Sequence, residues 1–322
     1  MNLDEIIKQK LSSNYYLESR IHKVPRLGAQ SYIKRDDELS FGISGNKLRK
    51  ISSLLPHWQG EVRPLVLVIG SAASNHVVSC LQVFLENQID YQLFLLQPGG
   101  QLGGKGNQAY INLLADRDKI SFVSRDEWPE VQELCEDFAK SYDGPTFIMR
   151  EGGCQREALP GAMTLGQDIF RNQVEHGIQF DNIFIDAGTG LSAVGLKAYL
   201  DFKKFSGNLH LVHMAPIDFD SLYQELVVGE YKSDFEINLI HHKPPTAKSF
   251  GAINQKVLAE VRRSASEDGV LVDPIYMAKL NLSVKEIVSR HDLEKQCNLM
   301  VHSGGGLSLH GFWDKLIPDG NT

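Results

Sequence analysis

Little cysteine, no long apolar run and no surplus of positive charge mark this chain, and each shortage removes a class of protein. Its 322 residues hold four cysteines, Cys80, Cys135, Cys154 and Cys297. They are scattered, with none of the close pairing of a thiolate metal site, and no metal is expected. A reducing cytoplasm is the expected setting. No apolar stretch approaches the roughly 18–20 residues needed to span a bilayer, so no membrane partner is expected. The first residues, Met1-Asn2-Leu3-Asp4-Glu5, are acidic and lack an apolar core, so they do not read as a signal peptide. The formal charge of −7 gives no support to a nucleic-acid role. No repeat or low-complexity segment stands out. What is present, 42% hydrophobic and 23% charged residues, is the composition of a globular enzyme, at a length sufficient for two domains.

The pattern alternates between short apolar runs and helical stretches. Strands are read at 64–70, 91–96, 120–123, 146–149, 182–185, 209–212, 235–240 and 299–302. Helices are read at about 75–86, after Gly103-Gly104 and around 131–140, with others after the later strands. The linker-like stretch His241-His242-Lys243-Pro244-Pro245 leads into a helix. Such a beat predicts an α/β fold with parallel sheets covered by helices on both faces.

Ligands of open parallel sheets bind beyond the carboxyl ends of the strands. Three small-residue loops fall there: 70–76, 186–192 and 302–306. In the second, Asp186-Ala187-Gly188-Thr189-Gly190-Leu191-Ser192, glycines expose backbone N–H groups, hydroxyls can donate and a helix dipole points inward, as a phosphate cradle requires. It lacks the Gly-Lys-Ser ending of a P-loop and the full dinucleotide fingerprint. A tight turn with helix capping reads the same way. Upstream, Ile43-Ser44-Gly45-Asn46-Lys47-Leu48-Arg49-Lys50 places a lysine at a loop-to-helix junction. A desolvated lysine there can lose its proton and bond covalently to a carbonyl, although an ordinary helix start has the same signature.

Together these segments resemble the pyridoxal-phosphate enzymes of the D-cysteine desulfhydrase and 1-aminocyclopropane-1-carboxylate (ACC) deaminase family. The resemblance rests on Lys34-Arg35-Asp36-Asp37, Gly45 to Lys50, Ser74-Asn75-His76, Glu151-Gly152-Gly153, Gly188 to Ser192, Asp273-Pro274-Ile275-Tyr276 and His302-Ser303-Gly304-Gly305. It implies the tryptophan-synthase β-like fold, fold type II. A small α/β domain at 48–156 is expected within a large cofactor domain formed by 1–47 and 157–322. A homodimer is expected as well.

The resemblance also implies roles. Lys47 stands where the family forms its Schiff base with the cofactor, pyridoxal 5'-phosphate. Asn75 falls where an amide contacts the cofactor ring oxygen, and Ser74 where a hydroxyl near the substrate moves protons. Gly188, Thr189, Gly190 and Ser192 match the phosphate loop. Leu191 departs from the small residue usual there, with bulk that can reshape the cradle. Tyr276 matches an active-site tyrosine. Phe250 stands where a second tyrosine is usual, so one hydroxyl is missing.

Three positions bear on the substrate. Where ACC deaminases carry glutamate, leucine and glutamine, this chain has Met277, Ser303 and His76. A hydroxyl at Ser303 can meet the pyridine nitrogen without enforcing its protonation. That suits α,β-elimination from D-cysteine or a related β-substituted amino acid more than cyclopropane opening. ACC deamination, β-replacement transfer and cofactor binding without catalysis remain alternatives. His76 reads equally as a packing residue, His241 and His242 as strand-end residues, and Cys154 as a small buried thiol. Leu54, Leu55 and Trp58 read as core.

Overall fold

The computed structural model describes residues 2–40, 42, 45–99 and 103–317; Ile43 and Ser44, which open the lysine motif, lie outside them. The strands are β1 (Ile21–Lys23), β2 (Ser31–Lys34), β3 (Leu65–Ser71), β4 (Tyr91–Leu96), β5 (Ile120–Val123), β6 (Thr146–Met149), β7 (Asn182–Ala187), β8 (Asn208–His213), β9 (Asn238–His242) and β10 (Asn298–Val301). The helices are α1 (Leu3–Gln9), α2 (Asn46–Trp58), α3 (Asn75–Asn87), α4 (Gly106–Leu114), α5 (Val131–Ser141), α6 (Leu159–His176), α7 (Leu191–Phe202), α8 (Phe219–Leu226), α9 (Gln255–Arg263), α10 (Met277–Arg290) and α11 (Trp313–Leu316).

Two sheets form, one of six strands in the order β1-β2-β10-β7-β8-β9 and one of four in the order β5-β4-β3-β6. Among the described residues only the β1–β2 pair is antiparallel. The fold is α/β with helix-covered, mainly parallel sheets, as the alternation predicts. The apolar runs of β3 and β7 are buried almost throughout, because helices cover both faces. Among the described residues, no helix is long and apolar enough to cross a membrane.

Strand β9 begins three residues later than the sequence pattern suggests. The Ile237 N–H donates to Asp201 Oδ1 (2.8 Å) and the Phe235 N–H to Ser233 Oγ (3.1 Å), so these residues are bonded to side chains instead of to β8. His241 and His242 close that strand and stack on His213 and His210.

Helix α2 carries the lysine motif and is anchored at both ends. Near its carboxyl end Pro56 lacks the N–H that would reach the Ser52 carbonyl. The Ser12 N–H takes that carbonyl instead, at 2.7 Å. Leu54, Leu55 and Trp58 are fully buried, with Trp58 edge-on to Phe84. On the other face, Arg49 forks onto Asp36 (Nε–Oδ2 2.6 Å, Nη2–Oδ1 2.7 Å) and reaches Asp168 Oδ2 at 2.7 Å. Lys34 Nζ meets the same Asp168 and donates to Asn172 Oδ1 at 2.6 Å. All four ionic groups are buried. The charges of the Lys34–Asp37 and Lys47–Lys50 motifs thus divide, and Lys34, Asp36 and Arg49 tie α2 to β2 and α6.

Candidate active site

Lys47 lies in the first turn of α2, where the chain crosses the end of β10. Gly45 has φ +72°, and a Cβ there would sit 2.0 Å from the Ser303 carbonyl oxygen, so only glycine lets the two segments meet. The Asn46 N–H donates to the same carbonyl at 3.1 Å. This contact fixes Lys47 beside Ser303. The Lys47 Nζ is 5.9 Å from the centre of the Tyr276 ring. Burial holds its amine below the ordinary lysine range, against the pull of the Asp186 and Asp273 carboxyls.

Tyr276 joins the lysine to the glycine loop. A Cβ on Gly188 would lie 3.1 Å from Tyr276 Cε1. Burial raises the Tyr276 hydroxyl pKa, and Asp273 adds to the effect. Phe250 packs edge-on to Tyr276, centroids 6.0 Å apart, yet is 56% exposed. It occupies the rim.

The loop from Gly188 to Ser192 runs into the amino end of α7. Gly190 caps the helix at φ +93°. The Leu191 side chain is fully buried in the core, so its bulk leaves the cradle and only its backbone remains there. Ser192 Oγ is buried with no hydrogen-bond partner among the described residues. A second loop closes over the first. At Gly152 a Cβ would meet Thr189 Oγ1 at 2.7 Å, and Cys154 Sγ donates to the Thr189 carbonyl at 3.3 Å. The Lys50 ammonium donates to the Gly152 carbonyl at 3.2 Å. Burial, with Lys47 adding to it, pushes Lys50 down to about 8. A helix N-terminus, an unpartnered buried hydroxyl and an adjacent lysine together fit a phosphate monoester.

The loop after β3 completes the site. Ser74 caps α3, its Oγ accepting from the His76 N–H at 3.1 Å, which leaves the hydroxyl proton free to donate. Asn75 Nδ2 lies near Gly305, two residues beyond Ser303. His76 is buried against Cys80 and Gly153, and burial beside Lys50 and Lys47 pushes it down to about 3, so it is neutral. Ser303 Oγ lies 3.8 Å from Met277 Sδ. Contacts therefore connect Lys47, Tyr276, the 188–192 loop, Ser303, Asn75 and His76 into one constellation.

Two buried carboxyls and a lysine escaped the sequence reading. Asp186, the penultimate residue of β7, has Oδ1 without a partner among the described residues. Burial raises its pKa, while Ser303 and Lys47 pull it back. Asp273 accepts the N–H groups of Ile275 and Tyr276, both at 2.8 Å, and of Met277 at 3.2 Å. Its place ahead of a helix start was a readable capping signal. Lys50 follows Lys47 by three residues, a spacing that puts both on one helix face.

The fold is shared with solved structures that include a pyridoxal 5'-phosphate-dependent aspartate racemase, TM-score 0.62 at 12% identity, covering 94% of each chain. A solved structure described as an ACC deaminase homologue superposes with a TM-score of 0.82 at 21% identity, covering 98% of this chain and 99% of its own. The chain is a homologue of proteins named ACC deaminase and D-cysteine desulfhydrase. It is 23% identical over 321 residues to the bifunctional D-cysteine desulfhydrase/1-aminocyclopropane-1-carboxylate deaminase, mitochondrial, of Arabidopsis thaliana, covering 94% of this chain and 79% of the relative. It is 23% identical over 300 residues to the D-cysteine desulfhydrase of Klebsiella pneumoniae, covering 90% and 91%. No family model matches the chain.

Proposed function

We propose that this protein is a pyridoxal-phosphate-dependent lyase of the D-cysteine desulfhydrase type. It would convert D-cysteine, or a related β-substituted amino acid, to pyruvate, ammonia and sulfide. The observation that carries the reading is the Tyr276 ring, whose centre lies 5.9 Å from Lys47 Nζ and whose Cε1 would lie 3.1 Å from a Cβ on Gly188 of the phosphate-type loop. An amine and a glycine loop that share one aromatic ring support a site for one small cofactor, in a chain homologous to proteins with these names.

The bound cofactor would supply an electron sink for the α-carbanion. The protein supplies the rest. The 188–192 N–H groups, Ser192 Oγ and Lys50 hold the phosphate. The Lys47 amine, whose neutral form burial favours, takes the α-proton at Nζ. Ser74 Oγ, with its proton free, passes a proton near the substrate. Tyr276 walls the site against water and Phe250 borders the entrance. Ser303 offers the ring nitrogen a neutral hydrogen bond, and Met277 offers no carboxylate. The carboxyl that Met277 lacks is offered instead by Asp186 at the end of β7, which feels both Ser303 and Lys47, so cyclopropane opening is the reaction to compare.

The same reading places the cofactor between a small domain at 48–156 and a large domain of 1–47 with 157–322, in a cytoplasmic homodimer. The four-stranded sheet draws its strands from 65 to 149 and the six-stranded sheet from the remainder, which supports that division.

A panel of D- and L-amino acids, with and without an added nucleophile, tests the function. Pyruvate from D-cysteine or β-chloro-D-alanine is expected, with little 2-oxobutyrate from ACC. Robust 2-oxobutyrate would overturn the elimination reading, a β-substituted product would favour replacement, and silence with cofactor bound would favour a non-catalytic protein.

A further inference from the structure

Asn107, on α4, braces the loop after β3 through that loop's backbone and through the Asn75 side chain. Its Nδ2 donates to the Ala73 carbonyl at 2.9 Å and to Asn75 Oδ1 at 2.8 Å. A backbone carbonyl can only accept, so the Asn107 atom facing it is the amino group. That group's second proton points at Asn75 and obliges Asn75 to present its carbonyl oxygen there. The Asn75 amino group therefore turns the opposite way. It faces Gly305, where a Cβ would stand 3.1 Å from Asn75 Nδ2 and 3.5 Å from Asp273 Oδ2.

Asn107 is 3% exposed, and its own Oδ1 has no partner among the described residues. A buried amide that leaves its acceptor unsatisfied is costly, so satisfying its own polar groups does not explain it. Its helix is fastened to the carboxyl-terminal segment. Gly106 packs so closely on Gly311 that a Cβ would come within 2.9 Å of the Gly311 Cα. Tyr110 Oη meets His310 Nδ1 at 2.7 Å, and Lys105 pairs with Asp314.

We propose that Asn107 is a positioning residue: it fixes the Asn75 amide with its donor end toward the cofactor ring oxygen, and docking of α4 on residues 306–314 holds that orientation. The proposal rests on the cofactor reading above. A donor facing the ring oxygen favours its anionic form, and a carbonyl facing it favours the protonated form. Which end of Asn75 faces inward thus sets the colour and the hold of the bound cofactor.

Asn107→Asp tests this at nearly constant shape. A carboxylate cannot donate to Asn75 Oδ1, so Asn75 flips and turns its carbonyl into the site. The protein loaded with pyridoxal phosphate is titrated and its visible band followed. The pH midpoint of the colour change is expected to rise about tenfold in proton affinity. Cofactor dissociation is expected to rise about ten- to hundredfold, the size of one hydrogen bond to a charged group. Tyr110→Phe, a milder change at the docking surface, should shift the midpoint in the same direction by about two- to threefold, and it covers the case in which the aspartate variant does not fold. A purely structural Asn107 would lower the melting temperature and leave the midpoint in place. An unshifted midpoint with cofactor bound overturns the orientation. A wild-type protein that never takes up the cofactor overturns the underlying reading, and this proposal with it.

Discussion

Lys47→Ala is expected to lower pyruvate formation by at least ~1,000-fold while leaving the fold intact, since a positioned proton-transfer group alone is worth about 10²–10⁴ in rate. The side chain projects into the cleft and takes no part in the ion network behind α2. Its removal leaves Arg49, Asp36 and the Gly45–Ser303 crossing in place. Circular dichroism and melting temperature should be close to wild type. Lys50 is the internal control for reach. It lies on the same helix and is also held below the ordinary lysine range, but its ammonium donates to the Gly152 carbonyl, on the phosphate side of the site. Appreciable turnover in the Lys47 variant would transfer the covalent role to another amine.

The second large effect is expected from Arg49→Met, which should destabilise the fold by about 3–5 kcal/mol, because removing one member of a buried ion network leaves the others uncompensated. Urea unfolding measures it. Asp168 would keep Lys34 and Arg171, but the buried Asp36 carboxylate would lose the ion pair that Arg49 gives it. A pH dependence accompanies this. Burial works to raise the Asp168 carboxyl, but Arg49 and Lys34 outweigh it and hold the group below its ordinary value. A depressed carboxylate contributes stability above its unfolded value and loses it as pH falls through the folded value. Wild-type stability should therefore decline below about pH 4, the ordinary carboxylate range. In the variant that acid-induced loss should be smaller, because Asp168 without Arg49 keeps less of its depression. A variant as stable as wild type would show the network to be energetically neutral.

Much of the architecture was legible because parallel strands buried on both faces read as continuous apolar runs. Val66 to Gly70 and Asn182 to Ile185 announce themselves in this way. Strand β9 was less legible because Phe235 to Ile237 carry strand-like side chains but spend their N–H groups on Ser233 and Asp201, a competition invisible in local pattern. The loops at strand ends marked the cleft, and the lysine at a helix start marked its centre. What sequence alone did not reveal is where charges point. Arg49 and Lys50 are neighbours in one motif, yet a helix turns the first to a buried ion network and the second to the site. Asp186 reads as one more residue of a glycine loop until the fold buries it with an oxygen unpartnered among the described residues. Leu191 looks like an obstruction in the cradle, but the first turn of α7 carries its side chain into the core. Asn107 is separated from Asn75 by 32 residues, and only the packing of α4 on α3 brings the amides together.

The central claim is that Lys47, not another buried lysine, carries the cofactor. Borohydride reduction of the protein loaded with pyridoxal phosphate, followed by peptide mass mapping, tests it directly. A single pyridoxyl-phosphate adduct on the peptide containing Lys47 is predicted. An adduct on Lys50 or Lys34, with Lys47 unmodified, would contradict the account.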